Sequence, residues 1–235
     1  MIVSIHQPDF VPWLGFYYKV AKSDVFVYLD DAQFSNEAAH NFNDIKTVRG
    51  KTRIKIPVDY HFKDPIKIVK VKNGHENIEK MLRLIEESYK DAPFFESLFP
   101  EFKSIILHGY ETISDLNIAI NDWIFKGFGI KTKILKSSDM DIKSSREERV
   151  IDICVLSGAS EYLSGNGARV YQTESHFLER GVKLSYLDYK PIRYKQLGDD
   201  FLPCMSVLDY LFNCGFNWEY VERSVERINK EETDF

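Results

Sequence analysis

The sequence is poor in the features that usually assign a function at a glance. Its three cysteines, Cys154, Cys204 and Cys214, form no CxxC pair and leave an odd thiol. That argues against a disulfide framework and a cysteine-rich zinc site, and fits a reducing cytoplasm. No apolar run approaches the ~18 residues that span a bilayer. The amino terminus lacks the basic start and small-residue cleavage site of a signal peptide, so a soluble cytoplasmic protein is expected. GxSxG, P-loop and GxGxxG motifs are all missing, and nothing nominates a cysteine as a nucleophile. There is no internal repeat, low-complexity stretch or interdomain linker either. At 235 residues and 44% apolar content, the chain can bury one full core, so residues 1–235 read as a single domain.

Charge is limited and unevenly spread. The net charge is −5, yet from Asn43 to Lys72 nine basic residues face three acids, which makes that stretch +6 and the remainder −11. One reading is an anionic partner there. The other is that Lys51, Arg53 and Lys55 are the solvated face of a strand whose inner face is Ile54, Ile56 and Val58, with lysines discouraging edge pairing. The acidic total argues against a broad nucleic-acid surface.

What is present is concentrated at the start. A short apolar strand, Ile2 to Ile5, runs into His6-Gln7-Pro8 and Pro12-Trp13-Leu14-Gly15. A helix to Lys22 and a near-continuous apolar strand from Asp24 to Leu29 complete a β-α-β unit. The polar stretch from Asp31 to Thr52 reads as a long loop, followed by strands Arg53 to Val58 and Ile66 to Lys72. Helical spacing governs residues 76–127: a stripe of Ile78, Met81, Leu82 and Ile85, a helix from Phe94 to Leu107, and a third opened by Ser114. Strands Lys131 to Leu135, Glu161 to Leu163 and Val182 to Tyr189 then alternate with helices. Ser145 and Glu148 form a capping box for one of these helices. Ser206 and Asp209 cap another, which Gly215 ends. The tail from Glu231 to Phe235 is expected to fray. The pattern predicts a Rossmann-like α/β fold: a mostly parallel sheet with helices on both faces, plus the helical segment.

Ligands of such sheets bind beyond the carboxyl ends of the strands, and this selects the candidate residues. His6 follows a strand directly, where an imidazole titrating near neutrality serves as general base or anion contact. Gln7 offers two donors and an acceptor for sugar or base recognition. Asp30 and Asp31 end the second strand beside Gln33, Asn36, His40, Asn41 and Asn43. Adjacent carboxylates on a strand point to opposite faces unless the chain turns, so one of the two is structural. No second carboxylate at a fixed spacing completes a metal site, and no metal is expected. In Ser164-Gly165-Asn166-Gly167-Ala168-Arg169 the glycines let backbone N–H groups approach a phosphate, and Arg169 can grip it with two hydrogen bonds.

Three blocks of sequence resemble the WbqC-like protein family. The first is Ile5-His6-Gln7-Pro8 with Pro12-Trp13 and Gly15. The second is Asp24-Val25-Phe26-Val27 through Leu29-Asp30-Asp31 and Gln33-Phe34-Ser35. The third is Asn41, Asn43 and Ile45-Lys46. Tyr162-Leu163-Ser164-Gly165, Gly167-Ala168-Arg169 and Ser206-Val207-Leu208-Asp209 with Leu211-Phe212-Asn213 extend the likeness over nearly the whole chain. The family usually reads Asn-Arg-Asn where this chain has Asn41-Phe42-Asn43. An arginine role in anion binding is then lost, or taken over by Arg49 or Lys46. The opening is also similar, more distantly, to that of HIGH-type nucleotidyltransferases and pantothenate synthetase, whose second motif histidine would fall near Phe16 and is absent.

Members of the family are often encoded within surface-polysaccharide clusters, and a glycine transferase role has been proposed for some. The resemblance therefore implies transfer of an aminoacyl or acyl group to a nucleotide-linked amino sugar in O-antigen synthesis. In that reading His6 is the base, and Asp31 and Gln33 orient sugar hydroxyls. Asn41, Asn43 and backbone N–H groups near Gly165 to Gly167 hold the oxyanion, and Lys46 and Arg169 hold the phosphates. Trp13 and Ser164 complete the expected site. The donor is left open between charged tRNA, a thioester and an acyl-adenylate, and no cofactor is named by the residues. A nucleotidyltransferase-like enzyme and a noncatalytic nucleotide-sugar binder are the alternatives.

Overall fold

The computed structural model describes residues 1–72 and 75–233. The chain opens with β1 (Ile2–His6), α1 (Leu14–Ala21) and β2 (Val25–Tyr28). Asp31 to Thr52 is not one long loop: it contains most of a hairpin of β3 (Phe42–Thr47) and β4 (Gly50–Lys55), six residues paired in full antiparallel register. The alternation there is masked because only Phe42, Ile45 and Ile54 of the hairpin are buried. On its outer side Lys51 and Arg53 both pair with Asp44 at 3.1 Å, so part of the basic stretch is neutralised internally.

Short strands β5 (Val58–Asp59) and β6 (Lys70–Val71) pair with each other, separated by a single 3₁₀ turn at Ile66–Ile68. The strand expected from Ile66 thus begins only after that turn. The helical segment is α2 (His75–Tyr89), α3 (Phe95–Leu107) and α4 (Ile113–Phe128). Glu79 and Arg83 pair at 3.7 Å on the outer face of α2. Thr112, rather than Ser114, caps α4 by accepting from the Asp115 N–H at 3.1 Å, and Gly129 ends it with φ 70°.

The remaining elements are β7 (Lys133–Lys136), α5 (Arg146–Leu156), β8 (Glu161–Ser164), α6 (Glu174–Glu179), β9 (Lys183–Tyr186), α7 (Val207–Cys214) and α8 (Trp218–Thr233). The Ser145–Glu148 capping box does not form: the Ser145 side chain caps nothing, and Glu148 pairs with Arg180 at 2.6 Å. Ser206 does cap α7, through the Leu208 N–H at 3.3 Å. Asp209 instead turns into the core, where Tyr89, Tyr194 and Gln196 all donate to it. The carboxyl-terminal helix continues to Thr233, past the expected start of fraying, and residues 234–235 of that tail lie outside the described residues.

Five strands form one parallel sheet in the order β7-β2-β1-β8-β9. Alternation along β2 divides the core. Phe26 and Tyr28 pack with residues of α1, α3, α4 and α7, while Val25 and Val27 join Val3 and Ile5 against Ile151, Ile153 and Cys154 of α5 and Phe177 of α6. Helices therefore cover both faces, as a Rossmann-like α/β fold requires.

Chain order also fixes where a ligand crevice opens. From β1 the chain builds outward through β2 to β7, then crosses back to lay β8 on the other side of β1. The carboxyl ends of β1 and β8 are thus the topological switch point of the sheet. The two strands separate early: β1 pairs with β2 at four positions but with β8 only at Ile2 and Val3.

Candidate functional site

A cavity of about 870 Å³ occupies that switch point. Its floor and walls come from the ends of β1 (Ile5, His6, Gln7) and β8 (Ser164, Gly165), the first turns of α1 and α5 (Trp13, Arg146), and Asp9, Lys19 and Tyr189. A largely apolar hollow with a few convergent polar groups has the general form of a small-molecule site.

His6 is the best-defined of those polar groups. Its Nδ1 lies 3.1 Å from the Gln7 carbonyl oxygen and 3.5 Å from Asp9 Oδ2. A carbonyl can only accept, so Nδ1 carries the proton and Nε2 the lone pair. Burial, reinforced by the Lys19 ammonium, lowers the imidazole from 6.5 to about 3, so it stays neutral at physiological pH. Phe16 packs edge-on against the ring at 5.3 Å. Burial raises Asp9 to about 7 and lowers Lys19 to about 8, with each softening the other's shift. His40, behind Asp9 at 4.0 Å, is lowered by burial to about 4.

The loop that presents His6 is irregular and held by side-chain amides. Pro8 and Pro12 have no N–H, and the carbonyls between them are taken up from several elements. Asn117 donates to Pro8 O at 2.7 Å, Asn121 to Asp9 O at 3.2 Å, and Asn43 to Phe10 O and Val11 O at 3.1 Å each. Ser206 Oγ adds a second donor to Val11 O at 2.9 Å. These contacts fix Val11, a fully buried β-branched residue at φ 37°, in a region that strains such a side chain. Arg146, at the start of α5, is likewise left-handed at φ 57°.

At the other wall Trp13 explains the Pro-Trp-x-Gly spacing. A Cβ on Gly15 would stand 2.7 Å from the indole ring, so only glycine lets the ring lie across the first turn of α1. The indole is 37% exposed and meets Tyr189 edge-on at 5.2 Å, forming an aromatic corner.

Of the residues expected from sequence, His6, Gln7, Trp13, Ser164, Gly165 and Gly167 line this cavity. The others lie elsewhere. Asp31 is ion-paired with Arg149 and accepts from Ser137 Oγ at 2.5 Å. The chain does turn at this pair, for Ser137 Oγ also reaches Asp30, at 3.3 Å. Gln33 is exposed and bridges to Pro65. Asn41 is buried and donates to Ile56 O at 2.8 Å, while Asn43 holds the loop from outside. Lys46 donates to the Asp200 carbonyl. Arg169 is exposed, stacked 4.1 Å from the Tyr186 ring and bonded to Asn166 Oδ1 at 3.2 Å. Phe42, where the family arginine would stand, is buried beneath Arg53 at 3.9 Å.

Sequence reasoning missed Asp9, Lys19, Arg146, Glu147, Gln172 and Tyr189. Lys19 left a signal, as a lone cation in the apolar run Leu14–Ala21. Arg146 left none, since its place depends on how α5 begins.

The sequence matches the WbqC-like protein family over residues 7–219. The chain belongs to that family. It is also similar to the Mycobacterium tuberculosis protein described as uncharacterized protein Rv1507c, with 33% identity over 217 residues that cover 91% of this chain and 94% of the relative. In this WbqC-like protein the His-Gln-Pro and Ser-Gly-Asn-Gly segments, more than 150 positions apart in sequence, face one hollow. No helix among the described residues is long and apolar enough to cross a membrane, and no cluster of three or more histidine, cysteine, aspartate or glutamate side chains there can hold a metal ion.

Proposed function

We propose that this WbqC-like protein transfers an acyl or aminoacyl group to the amine of a nucleotide-linked amino sugar, as in O-antigen or related surface-polysaccharide assembly. The observation that carries the reading is the neutral His6, whose Nδ1–H is committed to the Gln7 carbonyl so that Nε2 is left as proton acceptor in a switch-point cavity. In this scheme the sugar amine attacks the activated carbonyl and a C–N bond forms. His6 Nε2 takes the amine proton, and the bond to the leaving group breaks as that proton passes to it. Asp9, beside Nδ1, stabilises the transient imidazolium.

The leading N–H groups of the 3₁₀ turn Asn166–Tyr171 have no acceptor within the turn and serve the oxyanion of the tetrahedral intermediate. Arg146, at the opening turn of α5, takes the place proposed for Lys46 and Arg169 on the diphosphate. Trp13 and Tyr189 supply an apolar corner for sugar or base. Incubation of the protein with a UDP- or dTDP-linked 4-amino sugar and candidate donors, read by mass spectrometry, tests the reading. The expected product is heavier by one glycyl or acyl group. His6→Ala should abolish the increment while sparing sugar-nucleotide affinity. Saturable binding without a mass change from any donor class overturns catalysis, and an equal loss of binding in His6→Ala removes His6 as base.

A further inference from the structure

One buried polar group of the cavity is not used by that scheme. Lys19 is 4% exposed, yet it lines the hollow. Its ammonium donates at 3.0 Å to the Ile5 carbonyl, and among the described residues no other hydrogen-bond acceptor and no carboxylate within 4.0 Å engages it. An ammonium has three protons, so two have no partner.

The position of that carbonyl shows where the ammonium sits. Ile2 O and His6 O accept from Asp24 and Leu29 on the β2 side. Carbonyls alternate along a strand, so Ile5 O faces β8. Pairing between β1 and β8 has already stopped, at Val3 and Tyr162. Lys19 therefore reaches from α1 into the gap where the two strands part and occupies the acceptor that a β8 N–H would otherwise use. Ser164 stands at the end of β8 on the other side of the same gap. It is fully buried and lines the cavity, and its Oγ, whose nearest polar neighbour is the Tyr162 phenol, makes no hydrogen bond of normal geometry. A buried ammonium with two unmatched protons and a buried hydroxyl whose hydrogen-bonding capacity is not fully met are expensive to keep dry.

We infer that the β1–β8 gap is a subsite for a compact oxyanion, a carboxylate or phosphate group of the ligand, held by the Lys19 ammonium and the Ser164 hydroxyl. An oxyanion is the acceptor-only, negatively charged group that satisfies both donors at once. The subsite lies near His6 and is built from α1 and β8, whereas Arg146 enters the cavity from α5 on the opposite face of the sheet, so the two would hold different anionic groups. The inference rests on the transferase reading only in placing the ligand in this cavity.

The test is NMR of protein carrying ¹³Cε-labelled lysine, titrated to tens of millimolar with sodium phosphate and, separately, with sodium acetate. Lys19→Arg assigns the Lys19 resonance. Saturable movement of that resonance by either probe is the expected result, and the tighter probe tells phosphate from carboxylate. Lys19→Met should weaken the tighter probe at least tenfold, Ser164→Ala should weaken it several-fold, and Lys19→Arg should retain most of it. A Lys19 resonance indifferent to both anions, or unchanged affinity in Lys19→Met, overturns the subsite. Lys19-dependent anion binding without acyl transfer would sink the transferase reading alone, and transfer without such binding would sink the subsite alone.

Discussion

Replacing Lys19 by methionine should make the protein more stable. Burial brings the ammonium down from 10.5 to about 8, a difference that corresponds to about 3 kcal/mol against the charged form in the fold. The side chain is almost wholly buried, so little solvent screening reduces that figure. Methionine keeps the length of the stem and removes the charge, but it orphans the Ile5 carbonyl, a loss of about 1–2 kcal/mol. The net gain is roughly 1–2 kcal/mol at neutral pH, or a rise in Tm of about 3–6 °C for a domain of this size. The sign of the pH dependence follows from linkage. Between about 8 and 10.5 the unfolded chain still binds the lysine proton and the folded chain has released it, so wild-type stability rises with pH in that window. The advantage of Lys19→Met is therefore full below pH 8 and shrinks progressively between about 8 and 10.5. Urea unfolding of both proteins at pH 7 and pH 9.5 measures this. A variant less stable than wild type at pH 7, or a gap that does not narrow at high pH, refutes the claim that Lys19 is a buried cation only partly compensated by its surroundings.

Asp9 gives the opposite slope: with its folded carboxyl near 7 and its ordinary value at 3.8, wild-type stability should fall as pH rises from about 4 to 7 and then level off. Urea midpoints of Asp9→Asn should lack that slope. The His6 imidazole, lowered to about 3, should keep constant ¹⁵N shifts across the neutral range; titration near 6.5 would show that burial does not hold it neutral. Asn43→Ala removes both amide bonds to the Val11 turn and should cost about 1–3 kcal/mol, read as a lower unfolding midpoint, with weaker ligand binding because the His6 loop relaxes. Gly15→Ala drives a Cβ to within 2.7 Å of the Trp13 ring and should shift the Trp13 share of the fluorescence, with Trp13→Phe as reference; an unchanged spectrum would mean the indole does not lie over that glycine.

The fold was legible where burial was two-sided. Val25 to Tyr28 is buried throughout and reads as a central parallel strand, and α2 shows its face because its other side is fully solvated. The β3–β4 hairpin was hidden because so few of its residues turn inward, and its turn residues read equally well as loop. Ser145 with Glu148 has the spacing of a capping box, yet Arg180 across the sheet's flank offers Glu148 a stronger partner. Local signals failed where a tertiary contact outbid them.

The candidate site divides along a different line. The asparagines beside the His-Gln-Pro segment look like substrate donors because they are polar and close to a strand end. Yet a buried irregular loop must satisfy its own backbone, and the two prolines deny it donors, so Asn43, Asn117 and Asn121 are consumed by carbonyls of residues 8–11. Residue type and proximity cannot separate these scaffold amides from functional groups, because both occur in the same place for the same polar reason. What separates them is whether any hydrogen-bonding capacity remains once the protein's own contacts are made. By that measure the groups left for a ligand include His6 Nε2, Ser164 Oγ and the Lys19 ammonium, drawn from β1, β8 and α1. Of these, Lys19 stood in the sequence only as a lone cation in an apolar helical run, and its reach into the gap between β1 and β8 shows only in the fold.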